Sequence, residues 1–142
     1  MYGTIKKVYL GKCNVIFMMN FQKVELEHIP LLKEYFSRVS TRLCDTTLGG
    51  SVMWRNGFGN DFALKEDILF LRSRNDAAGF AYTVPLGDLE RGVELLKEHC
   101  AEAGESLRFC CVSEENKEKL LDLFPDYVAH ANRDWEIGRA HV

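Results

Sequence analysis

A mixed-sheet α+β domain is predicted by three features of this 142-residue chain: strand-like segments joined by short turns between Phe62 and Val84, an amphipathic helix from Asp88 to Ala103, and an apolar segment over residues 107–112 directly after it. Consecutive strands with short connections form an antiparallel meander. A strand, a crossover helix and a further strand pair in parallel with a right-handed connection. The expected sheet is therefore an antiparallel meander extended by one parallel crossover strand.

Each element has its own local cause. Val24 and Leu26, following Phe21, alternate with charged residues as in a half-buried strand. His28, Ile29 and Pro30 open a helix, because proline is tolerated in a first turn. Leu31, Leu32, Tyr35, Phe36 and Val39 then share one apolar face at helical spacing. Asp45, Thr46 and Thr47 offer N-cap oxygens to a shorter helix with Leu48, Val52, Trp54 and Arg55, which ends at Gly57-Phe58-Gly59-Asn60. Phe62-Ala63-Leu64, a Lys65-Glu66-Asp67 turn and Ile68-Leu69-Phe70-Leu71 read as a hairpin. Arg74-Asn75-Asp76 turns the chain into a third strand over residues 79–84. Pro85, Leu86 and Gly87 end the meander, and Asp88 caps a helix in which Leu89, Val93, Leu96, Cys100 and Ala103 recur at steps of 4, 3, 4 and 3 before Gly104 stops it. After the buried strand at 107–112, Ser113 caps a helix that starts with Glu114 and Glu115, as the helix dipole favours. Leu120, Leu121 and Phe124 form its apolar side, Pro125 halts it, and Tyr127-Val128-Ala129-His130 begins a last strand.

Composition narrows the partners. A hydrophobic fraction of 46% and a charged fraction of 27% are those of a soluble globular domain. No apolar run approaches the ~20 residues of a membrane helix, and Lys12 interrupts the N-terminal apolar stretch that a secretion signal needs. Five cysteines without a CxxC pair fit buried thiols in a reducing, cytoplasmic compartment. Setting aside residues 1–17 and 136–142 leaves 14 basic and 20 acidic residues, a net charge of −6, which repels nucleic acid and anionic lipid. Residues 1–17 are basic and lack periodicity. They read either as an over-long gene start, with natural initiation at Met18 or Met19, or as an N-terminal strand through Val15, Ile16 and Phe17.

The order strand, two helices, three-strand meander, helix, strand, helix, strand resembles the GNAT (acyl-CoA N-acyltransferase) arrangement, in which the strands flanking the central helix splay apart to admit the acyl donor. Particular phrases sharpen the likeness: Cys44-Asp45-Thr46-Thr47 followed by Trp54-Arg55, the segment from Phe80 to Pro85-Leu86-Gly87, residues 107–112, Phe124-Pro125-Asp126-Tyr127, and Asn132-Arg133-Asp134-Trp135. Across residues 20–135 these resemble an uncharacterised family related to the C-terminal domain of phosphatidylglycerol lysyltransferase. The resemblance implies a tandem of two GNAT-like halves, with this chain, residues 18–135, as the first. It places a basic motif and the working site in a second half, so the missing C-terminal half is the implied partner, and acyl-CoA or aminoacyl-tRNA the implied donor of the whole protein. The heptapeptide Glu136-Ile137-Gly138-Arg139-Ala140-His141-Val142 is the translation of GAGATCGGAAGAGCACACGTC, which matches a common short-read sequencing adapter. Native sequence is accordingly expected to end at about Trp135, with 136–142 a non-native tail. A last strand cut from its neighbour would leave a sheet edge that invites dimerisation or aggregation.

Candidate chemistry is sparse. An acyl-CoA site needs backbone N–H groups aimed at a pyrophosphate from a glycine-rich turn opening a helix. Leu86, Gly87 and Asp88 occupy that place, yet they offer one glycine, and Asp88, Glu90 and Glu94 oppose an anion. A plain turn and N-cap is the competing reading. Thr46 and Arg55 are candidate substrate contacts, with a helix cap and a surface arginine as their alternatives, and Trp54 is expected in the core. Tyr82 and Tyr127 lie near the expected splay, where a tyrosine serves as general acid only if its pKa near 10 is lowered. Cys110 and Cys111, adjacent on a strand, are expected to point to opposite faces and to pack rather than bind metal. His28, His99 and His130 show no metal-ligand spacing. The expectations are thus a supporting half of an aminoacyl- or acyltransferase-like protein or, failing that, a self-sufficient acetyl-CoA N-acyltransferase or an interaction module.

Overall fold

The computed structural model describes residues 19–39, 47–75 and 79–129. In chain order these form β1 (Gln22–Lys23), a 3-10 turn (Leu26–His28), α1 (Ile29–Phe36), α2 (Leu48–Met53), β2 (Asp61–Lys65), β3 (Ile68–Asn75), β4 (Gly79–Tyr82), α3 (Leu89–Ala103) and α4 (Glu114–Leu123). The chain divides into two units, Met1–Val112 and Ser113–Val142. The sheet belongs to the first unit, and its four strands run antiparallel in the order β1-β2-β3-β4.

Side-chain alternation along β3 sets the layers. Ile68 and Phe70 join Ala63, Tyr82 and Met19 against Leu95, Leu96 and Cys100 of α3. Leu69 and Leu71 point the other way, to Phe62, Val24 and the Leu32 and Tyr35 side chains of α1, with Leu48 and Val52 of α2 packed alongside. A strand covered on both faces reads as a continuous apolar run, which is why Ile68-Leu69-Phe70-Leu71 shows no polar alternation.

The β2–β3 turn consists of Glu66 and Asp67, both left-handed (φ 52° and 59°). This is the turn hand that matches strand twist, though it is usually supplied by Asn-Gly. Neighbouring helices hold it. The Asp67 carboxylate accepts from the Tyr35 hydroxyl (3.0 Å) and the Arg38 guanidinium (3.1 Å), which keep it below the usual aspartate pKa, and Arg91 of α3 pairs with Glu66 at 2.8 Å. At the other end of the meander, Gly87 adopts φ +146°, where a Cβ would stand 3.3 Å from the Asp67 carbonyl oxygen and 3.0 Å from Ile68 Cγ1. The start of α3 is pressed still closer: a Cβ on Gly92 would meet the Pro85 ring at 2.6 Å. Asp88 caps α3 by accepting the Arg91 N–H, and left-handed Gly104 ends it.

Several expectations change at the level of local structure. The first strand is only two residues long, and Leu26 is 58% exposed, because Glu25 and His28 close a capping box that bends the chain into the 3-10 turn. Val39 lies beyond α1 and Trp54 is not core but 51% exposed. β4 ends at Tyr82 rather than at residue 84: the Thr83 N–H still bonds to the Leu71 carbonyl in register, but Leu86 then bridges to Leu69, one residue out of that register, so the pairing slips between residues 83 and 86. No strand forms over 107–112; the parallel pairing is a single bridge between Tyr82 and Phe109, after which Cys111 takes φ 54° and breaks the extended chain. In the second unit, Ser113 caps α4 as expected, accepting the Asn116 N–H. Residues 127–129 form no strand, because the Tyr127 N–H bonds to the Phe124 carbonyl and its ring stacks on Phe124 at 4.4 Å. Residues 1–18 and 130–142 lie outside the described residues, and with them Met18 of the two alternative starts, the alternative N-terminal strand through Val15, Ile16 and Phe17, Cys13, His130, the phrase at 132–135 and the adapter-like tail.

One core contact carries a pH dependence. His99, only 4% exposed, accepts the Met19 N–H at Nδ1 (3.3 Å), so its ring is neutral with the proton on Nε2. Burial lowers its pKa, Arg72 and Lys65 lower it further, and Glu105 opposes them. The unfolded chain therefore takes up this proton first as pH falls below about 6.5, and stability is lost from there down through the folded value. Urea unfolding between about pH 7.5 and 5.5 is expected to show this decline, and His99→Gln, which keeps an acceptor without a titrating ring, to flatten it. Equal slopes for the two proteins would contradict the assignment.

Candidate functional site

Beyond Leu71 the helical cover of the sheet gives way to small side chains. Ser73 pairs directly with Ala81 across β3 and β4, and Thr83 comes next on the same face. These residues fill little volume, and a cavity of about 690 Å³ opens over them. One wall is the end of α2 and the turn after it, with Ser51, Trp54, Gly57 and Phe58; another is formed by Cys110 and Cys111.

The α2 wall is set by local chemistry. Thr47 accepts the Gly50 N–H at 3.1 Å and starts the helix. Its end is tied by Arg55, whose Nη1 donates to the Val52 carbonyl at 2.6 Å, and by Asn60, whose Nδ2 donates to the Ser51 carbonyl at 3.0 Å. The Arg74 N–H donates to the Phe58 carbonyl (2.8 Å), pinning the turn to β3. This leaves Trp54 and Phe58 exposed at the rim, with ring centroids 5.7 Å apart.

The cavity also lies at a fork. Tyr82 donates its N–H to the Arg108 carbonyl (2.9 Å) and accepts the Cys110 N–H (2.8 Å). From there Thr83 stays with β3 while Cys111 turns left-handed, and all three of Thr83, Cys110 and Cys111 line the cavity. Arg72 and Arg74 border the cavity, but both pair across to β4 with residues of the opposite face, Tyr82 and Phe80. Arg72 is committed elsewhere: its Nε donates to Asp61 at 3.1 Å, and its guanidinium stacks 3.7 Å from the Phe80 centroid and 4.2 Å from that of Phe21. Arg74 is exposed, 5.3 Å from the Phe80 centroid. No carboxylate or imidazole is among the described residues of the lining. The described lining offers a ligand an aromatic rim, hydroxyl and amide groups and two thiols.

The residues singled out from sequence are not gathered here. Both backbone groups of Leu86 are used by Leu69, at 2.9 and 3.1 Å, Gly87 is packed on the hairpin turn, and Asp88 spends its carboxylate on the α3 cap. Tyr82 is fully buried on the α3 face of the sheet, its hydroxyl 3.2 Å from Glu105, and burial drives its pKa up, the wrong way for a general acid near neutral pH. Arg55 caps α2, and Thr46 lies outside the described residues. Cys110 and Cys111, expected on opposite faces, both line one cavity because the strand that would separate them is not formed. Sequence reasoning missed Ser51, Asn60, Ser73, Ala81 and Thr83. The available signal was parity: continuing the Leu69, Leu71 face through the β3–β4 pairing reaches Ser73, Ala81 and Thr83.

The first unit is thus a sandwich of helices about an antiparallel meander, with a groove where one helical layer stops. A crystal structure of a conserved protein of unknown function from Bacteroides thetaiotaomicron is similar to this chain, with a TM-score of 0.67 at 20% sequence identity. The match covers 77% of this chain and 37% of that one, so the shared fold forms part of a longer polypeptide there. No family model and no curated protein matches the sequence. Among the described residues no helix is long and apolar enough to cross a membrane.

The two arginines should separate structure from site. Arg72 and Asp61 are 15% and 21% exposed, so Arg72→Ala leaves a largely desolvated carboxylate unpaired and should lower stability by about 2 kcal/mol. Arg74→Ala should change stability by less than about 0.5 kcal/mol. Chemical denaturation of both variants checks this; equal losses would show that the stacked Arg72–Asp61 pair is not the structural one.

Proposed function

We propose that this chain is the first half of an aminoacyl- or acyltransferase-like protein, resembling the family related to the phosphatidylglycerol lysyltransferase C-terminal domain, and that its task is to shape the substrate cleft for a second half. The observation that carries the proposal is the fork beyond Tyr82, where the meander and the segment after α3 part and a groove opens between Thr83 and the two cysteines. That is where a GNAT-like fold would be expected to open. The likeness to a chain of which it covers only 37% supports a role as part of a larger protein. The apolar rim of Met53, Trp54 and Phe58, all more than half exposed, is the surface that a second half would cover.

A supporting role fits the chemistry better than a self-sufficient acetyl-CoA enzyme. The turn before α3 presents no open ring of N–H donors: its Leu86 N–H is already bonded, Asp88 caps the helix, and the nearest cation, Arg91, is paired with Glu66 and Glu94. Catalytic groups are then the second half's contribution, and acyl-CoA or aminoacyl-tRNA binds there.

The test is to produce the longer protein encoded at the source locus, its second half alone, and a groove-filled variant, Ala81→Trp. Aminoacyl or acyl transfer should fall at least about tenfold, equivalent to about 1.4 kcal/mol, both in the isolated second half and in the filled variant. Full activity of the second half unaided would overturn the supporting role. Calorimetric binding of coenzyme A by this chain alone would favour the self-sufficient enzyme instead.

A further inference from the structure

We propose that Cys110 and Cys111 are a redox-active vicinal dithiol, a modification site in the groove wall that closes into a disulfide between adjacent residues on reaction with a hydroperoxide. Neighbours on a strand point to opposite faces and cannot meet. Here residue 111 is left-handed at φ 54°, the strand is absent, and both cysteines are half-buried in the lining of the same cavity. A left-handed residue other than glycine costs about 1–2 kcal/mol, and such outliers concentrate at functional positions. Nothing in turn chemistry asks for a cysteine there, since asparagine or glycine would take that conformation more readily.

The chemistry is self-contained. One thiolate attacks the hydroperoxide oxygen, the O–O bond breaks, and the departing oxygen takes a proton and leaves as an alcohol or as water. The sulfur is now a sulfenic acid. The neighbouring sulfur attacks it, the S–S bond forms, the S–O bond breaks, and the hydroxyl leaves as water with the second thiol's proton. Two thiols are oxidised by two electrons and the hydroperoxide is reduced by two. Adjacent Cα atoms lie about 3.8 Å apart, below the usual range of about 4.4–6.8 Å for a disulfide. The ring is therefore strained and easily reduced, the behaviour of a labile rather than a structural bond. Cys100 is the internal reference: it is 2% exposed on the buried face of α3, and burial pushes its thiol pKa up, so it stays protonated and shielded.

Disulfide closure here needs neither acyl chemistry nor a second half. The experiment treats the full chain with cumene hydroperoxide, blocks remaining thiols, and maps the digest by mass spectrometry. The peptide holding Cys110 and Cys111 should lose two hydrogen masses, recover them with dithiothreitol, and react at least about tenfold faster than Cys100. In Cys111→Ser, Cys110 should instead stop at a sulfenic acid that dimedone traps. Separate oxidation of the two wild-type sulfurs to sulfinic acids, linkage of either to another cysteine, or a rate no greater than that of Cys100 would each overturn the proposal.

Discussion

Strand β3 has helix packed on both sides over residues 68–71, and the rest of the first unit depends on that burial. Ile68, Leu69, Phe70 and Leu71 are each no more than 6% exposed, and burying side chains of this size contributes roughly 1.5–3 kcal/mol apiece. That sum exceeds the ~1–2 kcal/mol per residue of holding Glu66 and Asp67 left-handed. The turn can therefore be built from residues that do not favour it, provided the hairpin brings β2 alongside. Tyr35, Arg38 and Arg91 then lend it contacts from the helices on either face. The same strand positions Leu86, through a two-bond bridge at Leu69, and so sets where α3 begins.

The groove is the complement of this packing. Face by face, the apolar side chains of β3 end at Leu71, and the next residue on that side is Ser73, opposite Ala81. No helix of the described residues fills the gap, and the bonds among Ser51, Asn60, Phe58 and Arg74 keep the α2 wall from collapsing into it. On the opposite face the equivalent space is taken by Phe80, Arg72 and Phe21 in a stack, with His99 and Tyr82 beneath. One side of the sheet is thus sealed by aromatic and ionic packing and the other is left open at the fork. That asymmetry is what motivates the proposed cleft-shaping role of the open side.

Much of the fold was legible in the sequence, and the exceptions share a cause. Helix α3 was readable because Asp88, Gly104 and the apolar steps between them agree, and the hairpin because its apolar runs flank an acidic turn. The short strands were not. Val24 and Leu26 alternate correctly, yet the Glu25–His28 capping box bends the chain before Leu26 can pair. Residues 107–112 and 127–129 are apolar enough for strands, but a left-handed Cys111 and a Tyr127–Phe124 stack spend them locally. The site was less legible still. Gly87 and Asp88 stood out as turn and cap and serve as such, whereas Ser73, Ala81 and Thr83 carry no motif and become neighbours only through the β3–β4 register. Trp54 was read as core together with Val52, but residues two apart lie about 200° round a helix, so with Val52 turned to the sheet Trp54 faces away from it.

Native-state hydrogen exchange tests the central claim, that a strand buried on both faces organises the unit, most directly. The amides of Leu69, Tyr82 and Thr83, which donate to Leu86, Arg108 and Leu71 respectively, should exchange only through global unfolding. The amides of Trp54 and Phe58 on the groove rim should exchange by smaller local openings. Rim and strand amides exchanging with equal free energies, or Leu69 opening before Phe58, would contradict the account.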